Sequence, residues 1–355
     1  MDERNDMAGI LDLMILPGFC VKENKICALN TAARSLLLTE GTPIEDLLLT
    51  GAEEYANFNS GCLYLTLSVG GELWGATVSR MESQDIFLLE QEENQPELRA
   101  MALAARELRE PLTNVLIAAD RLSGGDAPAE DPTRQQLARL NRGLYQMLRI
   151  LSNMSDASRS ISATRQETLD VCAALKELFE KAKVLAPQAG IRLTYTGPEE
   201  SVLCLMDREQ LERAVLNLLS NAIKFTPSGG SVDASLQRKG RQLIHTVRDT
   251  GSGIADAVLN SLFHRYLRQP ALEDSRFGIG LGMVLVRKAA AAHRGTVLVD
   301  RSGEQGTRVT MTMSIRQSSE TLVRSPILQV DYAGERDHCL LEFSESLPPH
   351  LYEKE

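Results

Sequence analysis

The chain has 355 residues, 43% of them hydrophobic and 24% charged, with 25 glycines and 13 prolines. That composition belongs to a folded chain of two or three domains and excludes a disordered, collagenous or disulfide-stapled one. Its 38 basic residues face 48 acidic ones, a net charge of −10. A polyanion needs many uncompensated Lys and Arg, so nucleic acid is excluded as a generic partner. Cys20, Cys27, Cys62, Cys172, Cys204 and Cys339 are scattered, at spacings unfit for zinc or thiol redox chemistry, and read as buried apolar residues of a reducing cytoplasm. The apolar stretch Ala8 to Val21 is broken by Asp12 and Pro17, and Met1 to Asp6 is acidic. The sequence therefore predicts neither a membrane span nor a signal peptide.

In chain order, residues 1–93 read as short strands and turns. Gly18 to Leu29 predicts a hairpin about Lys22-Glu23-Asn24-Lys25, Asn30 caps a short helix through Leu38, and Cys62 to Val69 and Leu73 to Val78 flank the hairpin signal Gly70-Gly71. Ile86 to Leu89 is a last strand. In its order of elements this region resembles a small PAS-type sensory domain.

Residues 94–160 read as a helical hairpin. Leu98, Met101, Ala105, Leu108, Leu112, Val115, Ala119 and Leu122 alternate at spacings of three and four, the pattern of a heptad seam. After Gly124-Gly125-Asp126, the dipeptide Asp131-Pro132 opens a second helix with the seam Leu137, Leu140, Leu144, Met147, Leu151 and Met154. One antiparallel pair is too narrow to bury both seams, so the sequence predicts a homodimer joined as a four-helix bundle. The other reading is a hairpin packed on the neighbouring domain.

Residues 165–316 read as α+β. A strand near Leu169 precedes a helix from Val171 to about Ala186, strands at Ile191 to Thr196 and Val202 to Met206, and a helix from Asp207 to Phe225. Strands Ser231 to Leu236 and Leu243 to Arg248, a helix from Leu281 to Ala292 and a hairpin of Thr296 to Val299 with Thr307 to Ile315 follow. In the tail, 317–355, Ile327 to Tyr332 and His338 to Phe343 predict an extra hairpin.

Three signals in the 165–316 region carry chemistry. In Asn217-Leu-Leu-Ser-Asn221-Ala-Ile-Lys224-Phe225, the residues Asn217, Asn221 and Lys224 share one helix face. Asp249-Thr250-Gly251-Ser252-Gly253 places a carboxylate at a strand end, ahead of two glycines that let backbone approach a planar ligand. Gly278-Ile279-Gly280-Leu281-Gly282 precedes an amphipathic helix whose N-terminus and loop amides can meet phosphate. It is not a dinucleotide fingerprint, since no βαβ unit precedes it.

Together these boxes resemble the Bergerat-fold ATP-binding domain, an α/β sandwich shared by sensor histidine kinases and gyrase-type ATPases. Leu262-Phe263-His264-Arg265-Tyr266-Leu267-Arg268 is similar to the aromatic box of the kinases. The resemblance implies that Asn221 offers an amide oxygen to Mg²⁺, which takes its other ligands from phosphate and water, and that Lys224 neutralises phosphate charge. It implies that Asp249 accepts a hydrogen bond from the adenine amino group, that Gly278, Gly280 and Gly282 hinge a lid, and that Asn217, Gly251, Gly253 and Phe263 complete the site. Gyrase-type relatives carry a glutamate at the place of Asn217. An amide cannot act as a base there, so rapid hydrolysis of ATP is not expected.

Ala105-Arg106-Glu107-Leu108-Arg109-Glu110-Pro111-Leu112 in turn resembles the phosphoacceptor box of a dimerising histidine kinase domain. Pro111 is expected to bend the helix there. Arg106 stands where the family has its histidine, and all five histidines, His245, His264, His293, His338 and His350, lie outside the hairpin. A guanidinium stays protonated and is no nucleophile, so self-phosphorylation is excluded. Glu110, where the family commonly has Thr or Asn, also speaks against phosphatase activity. The sequence leaves three readings: a pseudokinase, in which bound Mg-ATP regulates and Arg106 approaches the nucleotide phosphates; an enzyme that phosphorylates a histidine on a second kinase chain or hydrolyses ATP slowly; or a scaffold whose ATP boxes are relics, which the completeness of the boxes disfavours. Either of the first two would work in a two-component signalling system with a response regulator on another chain, the tail being too short for a receiver domain.

Overall fold

In the computed structural model, residues 11–81, 84–91, 96–123, 132–158, 165–255, 259, 263, 280–302, 305–316 and 336–353 are described. The chain opens with the hairpin β1 (Gly18–Lys22) and β2 (Lys25–Leu29). Its turn is built by Glu23 and Asn24, both at positive φ (51° and 65°), the tight geometry whose twist matches the flanking strands. Asn30 then caps α1 (Thr31–Arg34), its side chain accepting from the Ala33 N–H at 2.8 Å. A second short helix, α2 (Ala52–Ala56), precedes β3 (Cys62–Val69), β4 (Glu72–Met81) and β5 (Gln84–Glu90).

Two long helices follow, α3 (Pro96–Ser123) and α4 (Pro132–Ala157), packed on each other. α3 continues through position 111. Ala105, Leu112, Leu116 and Ala119 bury against Leu144, Leu148 and Leu151. The expected seam is thus split. Leu108, Val115, Leu140 and Met147 are about half exposed, because the true inward stripe passes through Leu116 and Leu148 and rotates these four away from it.

The remaining elements are β6 (Glu167–Asp170), α5 (Val171–Leu185), β7 (Arg192–Thr196), β8 (Leu203–Met206), α6 (Arg208–Phe225), β9 (Ser231–Lys239) and β10 (Gln242–Asp249). After them come α7 (Gly282–Ala292), β11 (Val297–Arg301), β12 (Thr307–Ser314) and α8 (His338–Glu342). α6 begins where Asp207 accepts from the Gln210 N–H at 3.0 Å, and its buried face carries Leu211, Val215, Leu218 and Leu219 into one core with Leu175, Phe179, Val286 and Met311.

The described strands form one ten-stranded sheet in the order β2-β1-β5-β4-β3-β11-β12-β10-β9-β7, and β6 pairs β8 apart from it. Residues 1–93 were expected to be a separate unit. Their described strands instead join the C-terminal ones through the antiparallel pairs Val297↔Tyr64, Leu298↔Leu63 and Val299↔Cys62. Gly61, at φ +92°, allows this: a Cβ there would lie 2.1 Å from the Val299 carbonyl oxygen.

The expected tail hairpin is corrected. Ile327 to Tyr332 lies outside the described residues, and His338 to Glu342 is helical. Asp337 caps it by accepting from the Leu340 N–H at 2.9 Å, and Cys339, Leu341 and Glu342 are all buried, so this segment has no solvent face of the kind strand alternation requires. Among the described residues no helix is long and apolar enough to cross a membrane.

Candidate functional site

β10 ends at Asp249, whose side chain is buried at the floor of a cleft of about 1310 Å³ including its open mouth. Asp249 Oδ1 accepts from the backbone N–H of Gly251 at 2.8 Å and of Thr307 at 3.1 Å, which fixes the carboxylate and leaves Oδ2 for a ligand. Burial raises this carboxyl above the ordinary aspartate range, against the lowering effect of the two N–H donors. Gly251 is required here, since a Cβ would lie 2.4 Å from the Phe225 carbonyl oxygen.

Asn221, Lys224, Gly253, Gly280 and Gly282 line the same cleft, so the three sequence boxes converge although 65 residues separate Lys224 from Ala289 in the helix that follows them. α6 delivers Asn221 and Lys224 from one side, and the N-terminus of α7 delivers Gly282 from the other. The apolar walls are Leu218, Ala222, Val247, Ile254, Met283 and Val309. A planar apolar ligand with one donor group at Asp249 and negative charge at Lys224 suits this cleft.

Other expected residues sit elsewhere. Asn217 is fully buried behind the cleft wall, its Nδ2 donating to the Arg213 carbonyl at 2.9 Å and its Oδ1 placed 2.9 Å from where a Gly282 Cβ would lie. It shapes the contact between α6 and α7. Phe263 is also fully buried, its ring 5.8 Å from that of Tyr64, and does not line the cleft. Gly278 lies outside the described residues.

Arg106, Glu107 and Glu110 are exposed on α3. Arg106 lines a different cavity, with Ala102, Arg109, Ser155 and Ser158. The hairpin cation that enters the cleft of Asp249 is Arg149 on α4, together with Ile150 and Asn153. The expected approach of Arg106 to that cleft is thus corrected: the hairpin docks through α4, whose Asn153 accepts from Arg213 Nη2 at 2.7 Å and whose Asp156 ion-pairs with Arg213. Arg149 and Asn153, which line the cleft, and Asp156, which pairs with Arg213, were missed, although their spacing of four and three marks one polar face of α4. Glu345, from the tail, also lines the cleft, and no local signal in the sequence pointed to it.

His245 and His293 are fully buried, and burial pushes both down to about 4. They are neutral imidazoles inside the core rather than accessible nucleophiles.

Residues 206–317 match the family described as Histidine kinase-, DNA gyrase B-, and HSP90-like ATPase. The chain is 31% identical over 252 residues to the adaptive-response sensory kinase SasA of Synechococcus sp. (strain JA-2-3B'a(2-13)), covering 66% of this chain and 65% of that protein. It is 28% identical over 248 residues to the protein of the same name from Synechocystis sp. (strain ATCC 27184 / PCC 6803 / Kazusa), covering 66% and 64%. The chain therefore spans a little under two thirds of the length of these relatives. A solved structure of full-length ShkA in complex with AMPPNP is 23% identical, with a TM-score of 0.48, covering 62% of this chain and 47% of that one. Residues 206–317 thus match an ATPase domain family, and the chain is similar over 66% of its length to sensory kinases.

Proposed function

We propose that the protein is a cytoplasmic signalling pseudokinase: it binds Mg-ATP in the cleft of Asp249, Asn221 and Lys224 and regulates a partner without phosphorylating itself. The observation that carries this reading is the exposed Arg106 at the acceptor position of α3, on a hairpin without a histidine. Asp249 Oδ2 would accept from the adenine amino group and Lys224 would face the phosphates. Asn221 can give Mg²⁺ one oxygen. Among the described residues no group of three His, Cys, Asp or Glu could hold a metal, which fits an ion that takes its other ligands from phosphate and water.

The experiment is phosphate transfer from labelled ATP to wild-type protein and to Arg106→His. Wild type should stay unlabelled while binding ATP. Label on the introduced imidazole would show that transfer geometry survives and would favour the second reading, an enzyme acting on a histidine of a partner chain. An unlabelled variant that binds ATP favours the regulator. Label on wild type would overturn the pseudokinase reading.

The exposed Leu103, Leu108, Val115, Leu140 and Met147 of α3 and α4 support a homodimer through the hairpin. Leu108→Glu should give a monomer with little change in melting temperature, whereas Leu144→Glu, inside the hairpin core, should lower the melting temperature sharply. Sedimentation of wild type as a monomer at micromolar concentration would refute the dimer. The described N-terminal strands, in the order β2-β1-β5-β4-β3, support a PAS-like sensory role for residues 1–93, and a response regulator on another chain completes the pathway.

A further inference from the structure

The tail segment 337–353 is wedged between the hairpin and the ATPase domain. Arg142 on α4 donates to the carbonyls of Ser344 and Glu345, both at 2.8 Å, and Asn141 donates to that of Tyr352 at 3.1 Å. On α6, Ser220 Oγ donates to the Glu342 carbonyl at 2.8 Å. This docking carries Glu345 into the cleft, where its carboxylate bridges two cations: Oε1 lies 3.1 Å from Arg149 Nη1, and Oε2 pairs with Lys224 Nζ.

We propose that Arg149 and Lys224 together form the phosphate-binding subsite of this cleft and that Glu345 occupies it as a built-in competitor of the nucleotide's phosphates. The proposal rests on the cleft being a nucleotide site. Two cations from different elements, aimed at one anionic group in a cleft also lined by Asp249, are what a polyphosphate needs. Glu345 is the replaceable anion of the pair around Arg149. Glu342 is fully buried and holds Arg149 Nε at 2.8 Å, whereas the Glu345 side chain is 28% exposed. Arg149 therefore keeps a partner when Glu345 leaves, while Lys224 is released for a more highly charged ligand. The backbone contacts to α4 do not involve the Glu345 carboxylate, so exchange asks only for a rotation of that side chain, with the segment still docked. Phosphate charge would then be sensed as the loss of one tie between the tail and α6.

The test is calorimetric binding of adenosine, ATP and inorganic tripolyphosphate to the full chain and to Glu345→Gln, which removes the charge and keeps the shape. Losing one competing charge should tighten ATP and tripolyphosphate by about three- to tenfold, roughly the range of a partly exposed ion pair, and move adenosine by less than twofold. Equal tripolyphosphate affinity in the two proteins overturns the proposal, whatever the nucleotides do. Tighter tripolyphosphate binding with no binding of ATP or adenosine leaves the subsite standing and removes the nucleotide reading instead. The double substitution Arg149→Gln/Glu342→Gln deletes the buried pair together and should weaken tripolyphosphate; an unchanged affinity in a folded double variant excludes Arg149 from the subsite.

Discussion

Asp249→Ala is expected to weaken ATP binding by about 1.5–3 kcal/mol, roughly 10- to 150-fold in Kd. The carboxylate has two tasks, and the substitution removes both. Oδ2 is the acceptor available to an adenine amino group, and Oδ1 holds the Gly251 and Thr307 N–H groups that shape the rim. Asp249→Asn separates the tasks, because its amide oxygen can keep the two backbone donors while an NH2 donor replaces the acceptor Oδ2. It should fall between wild type and Asp249→Ala. Calorimetry with ATP and with adenosine measures the effect, and a loss below threefold for both ligands would show that adenine is held elsewhere.

The second large effect is on stability. Arg287 of α7 is 1% exposed, ion-pairs with Glu90 at the end of β5 and stacks its guanidinium 5.6 Å from the centre of the Tyr64 ring. Removing one partner of a buried pair is costly because the other charge stays out of water. Arg287→Ala should therefore destabilise the fold by about 3–5 kcal/mol. Replacing the pair, as Arg287→Met with Glu90→Gln, should recover much of that loss. Denaturant unfolding of the two variants checks this, and a cost under 1 kcal/mol for Arg287→Ala would mean that the joint between the N-terminal strands and α7 does not depend on the charge pair.

The strands and helices of the ATPase domain were legible because their signals are local. Asp207 stands four residues ahead of Leu211, the start of a 3.6-residue apolar rhythm, and does cap α6, and Asp249 stands at the end of an alternating run and does end β10. The boxes around Asn221, Lys224 and Gly282 stood out in the sequence, and one cleft gathers these residues. What was not legible depends on contacts between distant segments. The apolar run Cys339-Leu340-Leu341 with Phe343 fits a strand as well as a helix, yet the segment is a short helix, and docking buries its Glu342, which is paired with Arg149. The inward stripe of α3 passes through Leu116 rather than Val115, a rotation that a heptad count alone does not resolve in a hairpin that also packs on a third element. Asn217 looks identical in pattern to Asn221, and only the position of Gly282 above it turns it from a ligand residue into a packing one.

The pairing of β3 with β11 also bears on how the chain can be cut. Each of these strands has a bonded neighbour on both sides, so among the described residues the joined sheet has β2 and β7 as its margins. β2 begins with Lys25 and β7 with Arg192, both exposed, and charged ends of this kind discourage strangers from adding a strand. Separating the chain between β5 and α3 would instead uncover β11, whose Val297, Leu298 and Val299 carry no charge, and β3, with its apolar Cys62-Leu63-Tyr64-Leu65. Each half would then carry an apolar-rich margin, with Asp300 and Arg301 the charged end of β11, so the joint that unites the molecule also guards it against self-association, and fragments made for convenience would lose that guard.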